Sequence, residues 1–542
     1  MKKAQLKELS RQLLGTVTDS PDALEYFSTD AGIFEATPTA VVYPANTADV
    51  RKTVKFVADQ AASGKSVSLV PRGQGTDLGG AAVGEGVQLV MPAHLNKLLR
   101  LDRDTATVQP GINYRTLQQT LHTHGRHLPP YPASIDFSTI GGAVANNAAG
   151  EKSVKYGVTR DYVKSLKVVL SDGSLVEAHR ISARELNRKK GISSFEGEVY
   201  RKLDSLILDH TELIAKHQPK TTRNAAGYTL GRVKGKDGSF DLSQIFIGAQ
   251  GTLGVITEVV LKTLPYNPRT TLVVGYFKSM DALAEAVSKV RQYAPSAVEL
   301  VDQGVLEYLR EHHPGDIEGL VPEKLPKAVL LVEYDDSSQL AQKIKSLRTQ
   351  RIFQRLAESS RIATDPVEQV ALWKVRRSTA STVWSAGGHK RALPFIEDAI
   401  VPPDKLAAFL DRTHKLLAKH DLEAAVWGHA ADANLQLQPL LDLSRKKDID
   451  RLISLSREFH DTVIALGGST TGSHGDGLLR ALYLKNLYGE EMFELLAEVK
   501  HIFDPHRIFN PMKKTEATEE YARAHIRAAY SLAGLHNHSL YM

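Results

Sequence analysis

Ser138-Thr-Ile-Gly-Gly-Ala-Val-Ala-Asn-Asn-Ala-Ala-Gly150 is the stretch on which the fold turns. It has almost no side-chain bulk, and its polar side chains are Ser138, Thr139, Asn146 and Asn147. Such a segment neither fills a core layer nor solvates a surface. Glycine and alanine leave backbone N–H groups open, so it suits a place where main chain comes close to something large. On these residues alone two readings stand level. One is a ligand contact, and the other is a tight strand-to-helix crossing against another backbone.

Two further segments of the same kind lie on either side. Pro71-Arg-Gly-Gln-Gly-Thr-Asp-Leu-Gly-Gly80 follows the strand pattern Ser66–Val70, and Gly248-Ala-Gln-Gly-Thr-Leu-Gly254 follows an expected strand beginning at Ile245. A glycine-rich turn after a strand offers successive N–H groups to an anion. The first loop is not the Rossmann fingerprint. After Gly73 and Gly75 the third glycine is due where Leu78 stands, and Gly79 comes one place late. No Gly-Lys-Ser/Thr follows, so it is not a Walker loop either. Three such segments at strand ends in one region point to a long ligand with a pyrophosphate, lying across the seam between two lobes.

The surrounding pattern is mixed. Leu6, Leu9, Leu13 and Leu14 suggest a short helix. Ala40–Pro44 reads as a buried strand, and Thr47 is placed to cap a helix with Val50, Val54 and Val57 on one face. With Ser66–Val70 this makes a right-handed βαβ unit. Strands are expected at 88–91, 106–109, 163–170 and 255–263, and helices at 116–124 and within 181–220. Asp172-Gly173 marks a hairpin. Pro265 and Pro268 mark a boundary, beyond which strand and helix alternate over 271–277, 280–291, 328–333 and 337–355. The expected organisation is an N-terminal helix and lead-in (1–38), a ligand-binding domain (39–265), an α+β domain laid over it (266–420), a His-rich C-terminal segment (421–515) and an amphipathic tail (516–542).

Composition bounds the function. The chain has 542 residues, 42% hydrophobic and 24% charged, which suits a soluble protein of several domains. Its formal net charge is +6. The basic runs Arg188-Lys189-Lys190 and Arg445-Lys446-Lys447 have acids nearby and no interleaved aromatics, so they read as solvated faces and no nucleic-acid partner is expected. There is no cysteine, which excludes disulfides, thiolate zinc and iron–sulfur ligation within this sequence. A cytoplasmic protein, or one at the inner face of a membrane, is the expectation, with the tail as a docking element for a membrane or a protein. The first ten residues carry no apolar signal region, and no apolar run approaches the ~20 residues of a membrane span.

The order Pro-Arg-Gly-x-Gly-Thr (71–76), Pro-x-Ser (132–134), Thr-Ile-Gly-Gly (139–142), Asn-Asn-Ala-x-Gly (146–150), Tyr-Gly (156–157) and Gly-Thr-Leu-Gly-Val-Ile-Thr-Glu (251–258) resembles the FAD-linked oxidases of the vanillyl-alcohol-oxidase type. Within them it looks most like the FAD-dependent 2-hydroxy-acid dehydrogenases, acting on D-lactate, glycolate or D-2-hydroxyglutarate. The likeness runs from about residue 20 to 513. It implies an α+β fold: a two-lobed PCMH-type FAD-binding domain, a ferredoxin-like cap and a C-terminal helical segment. It implies that Arg72, Gly73, Gly75, Thr76 and Asp77 wrap the FAD pyrophosphate. Ser134, Thr139, Gly141, Gly142, Asn147 and Tyr156 would line the flavin, and Gly254 and Ile256 would lie near the adenosine end. The first loop lacks the His or Cys that holds flavin covalently in some relatives, so non-covalent FAD is expected.

The resemblance extends downstream, with departures. Trp427-Gly-His-Ala-Ala-Asp-Ala-Asn-Leu-Gln436 and Gly472-Ser-His-Gly-Asp-Gly477 resemble motifs that supply two histidines and a glutamate to a divalent ion in metal-dependent relatives. Here His429 remains, while Gln436 and Ser473 replace the other two ligands. No metal is expected unless Asp432 or Asp476 takes over. His474 stands at the family's catalytic position, and a histidine suits general-base work. Arg376, in Leu372-Trp-Lys-Val-Arg-Arg377, matches the arginine that grips the substrate carboxylate. Asn434 joins it in the substrate set. Ile396 stands where a substrate lysine is found in relatives, beside Glu397. The reaction implied is oxidation of a 2-hydroxy acid to a 2-oxo acid, with His474 and His429 at the hydroxyl. Electrons would leave to a separate acceptor: a quinone, an electron-transfer flavoprotein or an iron–sulfur protein. An oxidase using dioxygen, an alkyl-glycerone-phosphate-synthase-like enzyme and a catalytically altered FAD-binding subunit are the alternatives.

Overall fold

The computed structural model describes residues 1–384 and 390–530. The βαβ unit forms as expected, with one difference. Ala40–Tyr43 and Leu69–Arg72 do not adjoin; both pair in parallel with Val87–Val90, which lies between them. Thr16–Thr18 adds an antiparallel edge. Helix Thr47–Ala62 buries Val50, Val54, Phe56 and Val57 against this sheet. Its cap is Asn46, not Thr47: the Asn46 backbone is extended and its side-chain oxygen accepts from the Asp49 N–H at 3.0 Å.

The second lobe is an antiparallel sheet in the order Phe240–Asp241, Leu175–Ile181, Val163–Val169, Val255–Lys262, Thr105–Val108 and Leu98–Leu101. Helices Tyr114–Thr123, Phe195–Asp209 and Glu490–Phe503 contribute Leu117, Leu203 and Leu496 to its core. The strand expected from Ile245 is absent. Asp241 accepts from the Ser243 N–H at 3.0 Å and starts a short helix, Ser243–Phe246, after which the chain turns. Both conformations bury Ile245 and Phe246, so an apolar run this short does not distinguish them.

The cap is a sheet in the order Ser359–Ala363, Thr271–Phe277, Ala328–Tyr334, Ala297–Asp302, Ala424–His429 and Asn434–Leu441, antiparallel throughout. Strands from both sides of residue 420 share it. Helices Met280–Val290, Gln339–Leu356 and Leu406–Lys419 cover one face, and Gln303–His312 with Pro366–Trp384 cover the other.

The C-terminal segment then returns to the first lobe. The Leu69 N–H donates to Ile508 at 2.7 Å, and the Asn510 N–H donates to Leu69 at 2.8 Å. Of the tail expected over 516–542, residues 531–542 lie outside the described residues. Its earlier part packs down, with Ala522 and Tyr530 buried and the Tyr530 hydroxyl on the Ala31 carbonyl.

Candidate active site

A cavity of about 1270 Å³ opens between the two lobes and the cap. The opening stretch forms its floor. Ile140–Asn146 is a helix, Thr139 is its N-cap, and the Thr139 hydroxyl accepts from the Gly142 N–H at 3.2 Å. Asn147 ends the helix in the left-handed conformation. The tight crossing forms, and the stretch also borders the cavity. Gly73 passes so close that a Cβ there would lie 2.5 Å from the Thr139 hydroxyl oxygen, while the other side of the stretch faces the cavity.

Gly73, Gly75, Thr76, Thr139, Gly141, Gly142, Gly254 and Ile256 border the cavity, as do Ser134 and Tyr156. Arg72 and Asp77 border it as well, but Arg72 ties the loop to the lead-in segment and Asp77 braces the loop itself. The Arg72 guanidinium donates to the carbonyls of Thr29 at 2.7 Å and Ala82 at 3.0 Å. Asp77 accepts from the N–H groups of Gly79 and Ala81, both at 2.8 Å, and from the Asn146 amide at 2.8 Å. Gly75 adopts φ +75°, which an L side chain rarely takes. Asn147, expected at the flavin, turns away and accepts from the Arg160 N–H at 3.0 Å; Asn146 faces the cavity in its place. The Tyr156 hydroxyl donates to Asp335 at 2.8 Å, and burial with that carboxylate pushes its pKa up.

The cap side carries the titratable groups. Strand register sets Glu299 opposite His429. Glu299 accepts from Arg376 at 2.8 Å and lies 2.7 Å from His429 Nδ1, so one fully buried carboxylate anchors both. A second carboxylate, Glu397, bridges His474 Nδ1 at 2.5 Å and Arg480. Asp398 follows it in the left-handed region at φ +65°. It gathers the N–H groups of Ser473 and His474, each at 2.8 Å, and the Thr471 hydroxyl at 2.6 Å. Burial opposes charge on His474, but Asp398 and Glu397 outweigh it and raise the imidazole to about 9. Burial also opposes ionisation of Asp398, yet His474 and Arg480 hold it well below the usual carboxylate range.

Arg376, His429, Gln436, Ser473 and His474 thus meet at one wall of the cavity. Asn434, expected at the substrate, lies behind that wall. Its amide donates to the Asp398 carbonyl at 2.8 Å and its oxygen accepts from Arg223 at 2.8 Å. Asp432 and Asp476 do not complete a metal site. Asp432 is held by Arg223 and Ser153, and Asp476 by Lys514 at 2.6 Å and the Gly227 N–H at 2.8 Å. Among the described residues no group of three His, Cys, Asp or Glu is placed to hold a metal ion. One imidazole, an amide and a hydroxyl do not fit a divalent transition metal.

Sequence reasoning did not reach Glu299 or Arg480. The signal for Glu299 was an acid in the middle of the apolar run Ala297-Val-Glu-Leu-Val301. A charge is rarely placed there without a partner.

FAD fits this cavity on two observations. Glycine-rich main chain from three segments lines its 1270 Å³, and the Ser138 hydroxyl is buried at the wall without a hydrogen-bond partner among the described residues. A cleft bordered by glycine-rich main chain on one side and by paired histidines and carboxylates on the other suits a flavin-dependent oxidoreductase. The chain belongs to the FAD-linked oxidases: the FAD binding domain matches residues 38–179, and the C-terminal domain of FAD linked oxidases matches residues 267–514. FAD is the cofactor of this family's binding domain.

The chain is similar to glycolate oxidase subunit GlcD of Bacillus subtilis (strain 168), with 29% identity over 485 residues, covering 89% of each chain. It is 30% identical over 515 residues to D-2-hydroxyglutarate dehydrogenase of Pantoea ananatis (strain AJ13355), covering 92% of this chain and 50% of that one. It therefore spans about half the length of that relative. The solved structure of p-cresol methylhydroxylase with substrate bound shares the PCMH-type fold, at TM-score 0.66 and 14% identity, covering 96% of this chain and 98% of that one.

Proposed function

We propose that the protein oxidises a small 2-hydroxy acid to the 2-oxo acid in this cavity and passes the electrons to a separate acceptor. The observation that carries the reading is that Arg376 and His474 border the same cavity, each fixed by a buried carboxylate. Arg376, oriented by Glu299, binds the substrate carboxylate. His474 presents Nε2 to the hydroxyl, because Nδ1 is engaged by Glu397. His429, on the other oxygen of Glu299, lies beside the same hydroxyl. Oxidation removes the hydroxyl proton to His474 Nε2 and the Cα hydrogen with its electron pair. Bound FAD supplies the two-electron acceptor. The protein's own contribution is positioning, exclusion of water and one proton site. The names of the relatives, a glycolate oxidase subunit and a D-2-hydroxyglutarate dehydrogenase, support the substrate class. The electron acceptor is a quinone, an electron-transfer flavoprotein or an iron–sulfur protein, since the sequence holds no cysteine for a second centre.

The test is anaerobic mixing of the purified holoprotein with D- and L-2-hydroxy acids, followed by the flavin absorbance. Bleaching by at least one such acid, without added metal, is expected. Intact flavin that no 2-hydroxy acid bleaches would overturn the reading in favour of a catalytically altered subunit. Rapid reoxidation in air would make dioxygen the acceptor.

A further inference from the structure

Helix Gln339–Leu356 on the cap buries its polar stripe and exposes its apolar one. Gln342, Ser346, Thr349 and Phe353 face the cap sheet. Gln342 accepts from the Thr271 hydroxyl at 2.9 Å, and Thr349 is hydrogen-bonded to the Tyr334 hydroxyl at 2.6 Å. On the opposite side Leu340, Ile344 and Leu347 are 67%, 43% and 41% exposed. Their spacing puts them on one helix face. Lys343, Arg348, Arg351 and Arg355 are exposed on the same face, and the helix contains no Asp or Glu. Among the described residues, Lys343, Arg351 and Arg355 take part in no ion pair. A helix solvated in the ordinary way would show the reverse, with Gln, Ser and Thr outside.

Further apolar residues are exposed on the opposite face of the cap sheet. Val367 and Val370, 78% and 68% exposed, open helix Pro366–Trp384 on the other side of the edge strand. Both helices start at the same end of the sheet: Gln342 donates to the Arg269 carbonyl, and Gln369 donates to the Thr270 carbonyl. The cavity reaches that end. Asp335, Asp336 and Ser337 line it and lead directly into Ser338, the helix N-cap.

We infer that this face docks on an anionic lipid bilayer and holds the cavity mouth near the membrane. Scattered apolar residues are ordinary on a protein surface. Here they share a helix face with cations and no acid, which matches lipid phosphates above an acyl boundary. An acidic protein would answer the cations but not the aliphatic row between them. The described tail residues are packed on the fold, so this helix is the better membrane contact. Among the described residues no helix is long and apolar enough to cross a membrane, so the contact lies in the interface plane. The inference does not depend on the proposed reaction.

The test is co-sedimentation of the holoprotein with phosphatidylcholine vesicles, with and without about one-third phosphatidylglycerol. Binding to the anionic vesicles only, weakened by salt, is expected. Lys343→Gln with Arg351→Gln and Arg355→Gln should weaken it roughly a hundredfold. Leu340→Ser with Ile344→Ser and Leu347→Ser should also release the protein. Both variants should keep full flavin content, which separates lost docking from lost folding. No binding to anionic vesicles, equal binding to neutral ones, variants that bind like the parent, or capture by an acidic protein instead of vesicles would each overturn the inference.

Discussion

His474 and Arg376 were legible as residues because they stand in short motifs. Their partners were not, because the Glu299–His429 and Glu397–His474 pairs join positions 130 and 77 residues apart. Those partners set the chemistry. With its pKa raised to about 9, His474 is an imidazolium at neutral pH, and it becomes a base as pH rises. The rate of anaerobic flavin reduction at low substrate should climb with pH and level off above about 9. A plateau beginning near ~6.5, the ordinary histidine value, would rule out the carboxylate pairing. The same shift links stability to pH. The folded pKa lies above the unfolded one, so the pairing contributes fully below ~6.5 and is lost as pH rises through about 9. The melting temperature should fall across that window. Arg376→Ala should raise KM for carboxylate substrates about a hundredfold while FAD stays bound. It also leaves Glu299 with one partner fewer, at a cost of about 3 kcal/mol. Adding Glu299→Gln should restore stability but not KM, measured by denaturant melts alongside turnover. Loss of flavin from Arg376→Ala would refute its assignment to the substrate.

At the scale of elements, the glycine-rich loops were readable because close backbone approach leaves few residue types to choose from. The Ser243–Phe246 helix was not, because burial of Ile245 and Phe246 satisfies either conformation. Asn46 against Thr47 is a one-residue choice decided by backbone angles that no pattern displays. Loop Pro71–Gly80 and helix Ile140–Asn146 meet at the contact between Gly73 and the Thr139 hydroxyl. Gly73→Ala should part them and release FAD, seen as loss of the yellow chromophore on gel filtration. Thr139→Ala removes the obstructing oxygen and costs the helix its cap, about 1 kcal/mol. The double variant should therefore retain more FAD than Gly73→Ala alone, and a double variant with no better retention would show that the contact is not the cause.

At the scale of the molecule, domain order along the chain was legible and the closing of the chain on itself was not. Nothing local in residues 504–514 announces that they complete the first lobe. Lys514, fully buried, donates to Asp476 at 2.6 Å and to the Gly227 carbonyl at 2.9 Å, tying this segment to both the Gly472–Gly477 turn and the second lobe. Lys514→Met strands a buried carboxylate and should destabilise the protein by about 3–5 kcal/mol, read from the urea midpoint. Asn510 has a consequence of another kind. Its amide donates to Ala81, 429 residues earlier, and to Gln250, 260 residues earlier, both at 2.8 Å. Those carbonyls belong to two of the loops that flank the cofactor cleft. Synthesis proceeds from the N-terminus, so the nucleotide cradle stays unlocked in the nascent chain until residue 510 has cleared the ribosome. Closure of the two loops around the cofactor then waits on residue 510 and not on the loops alone.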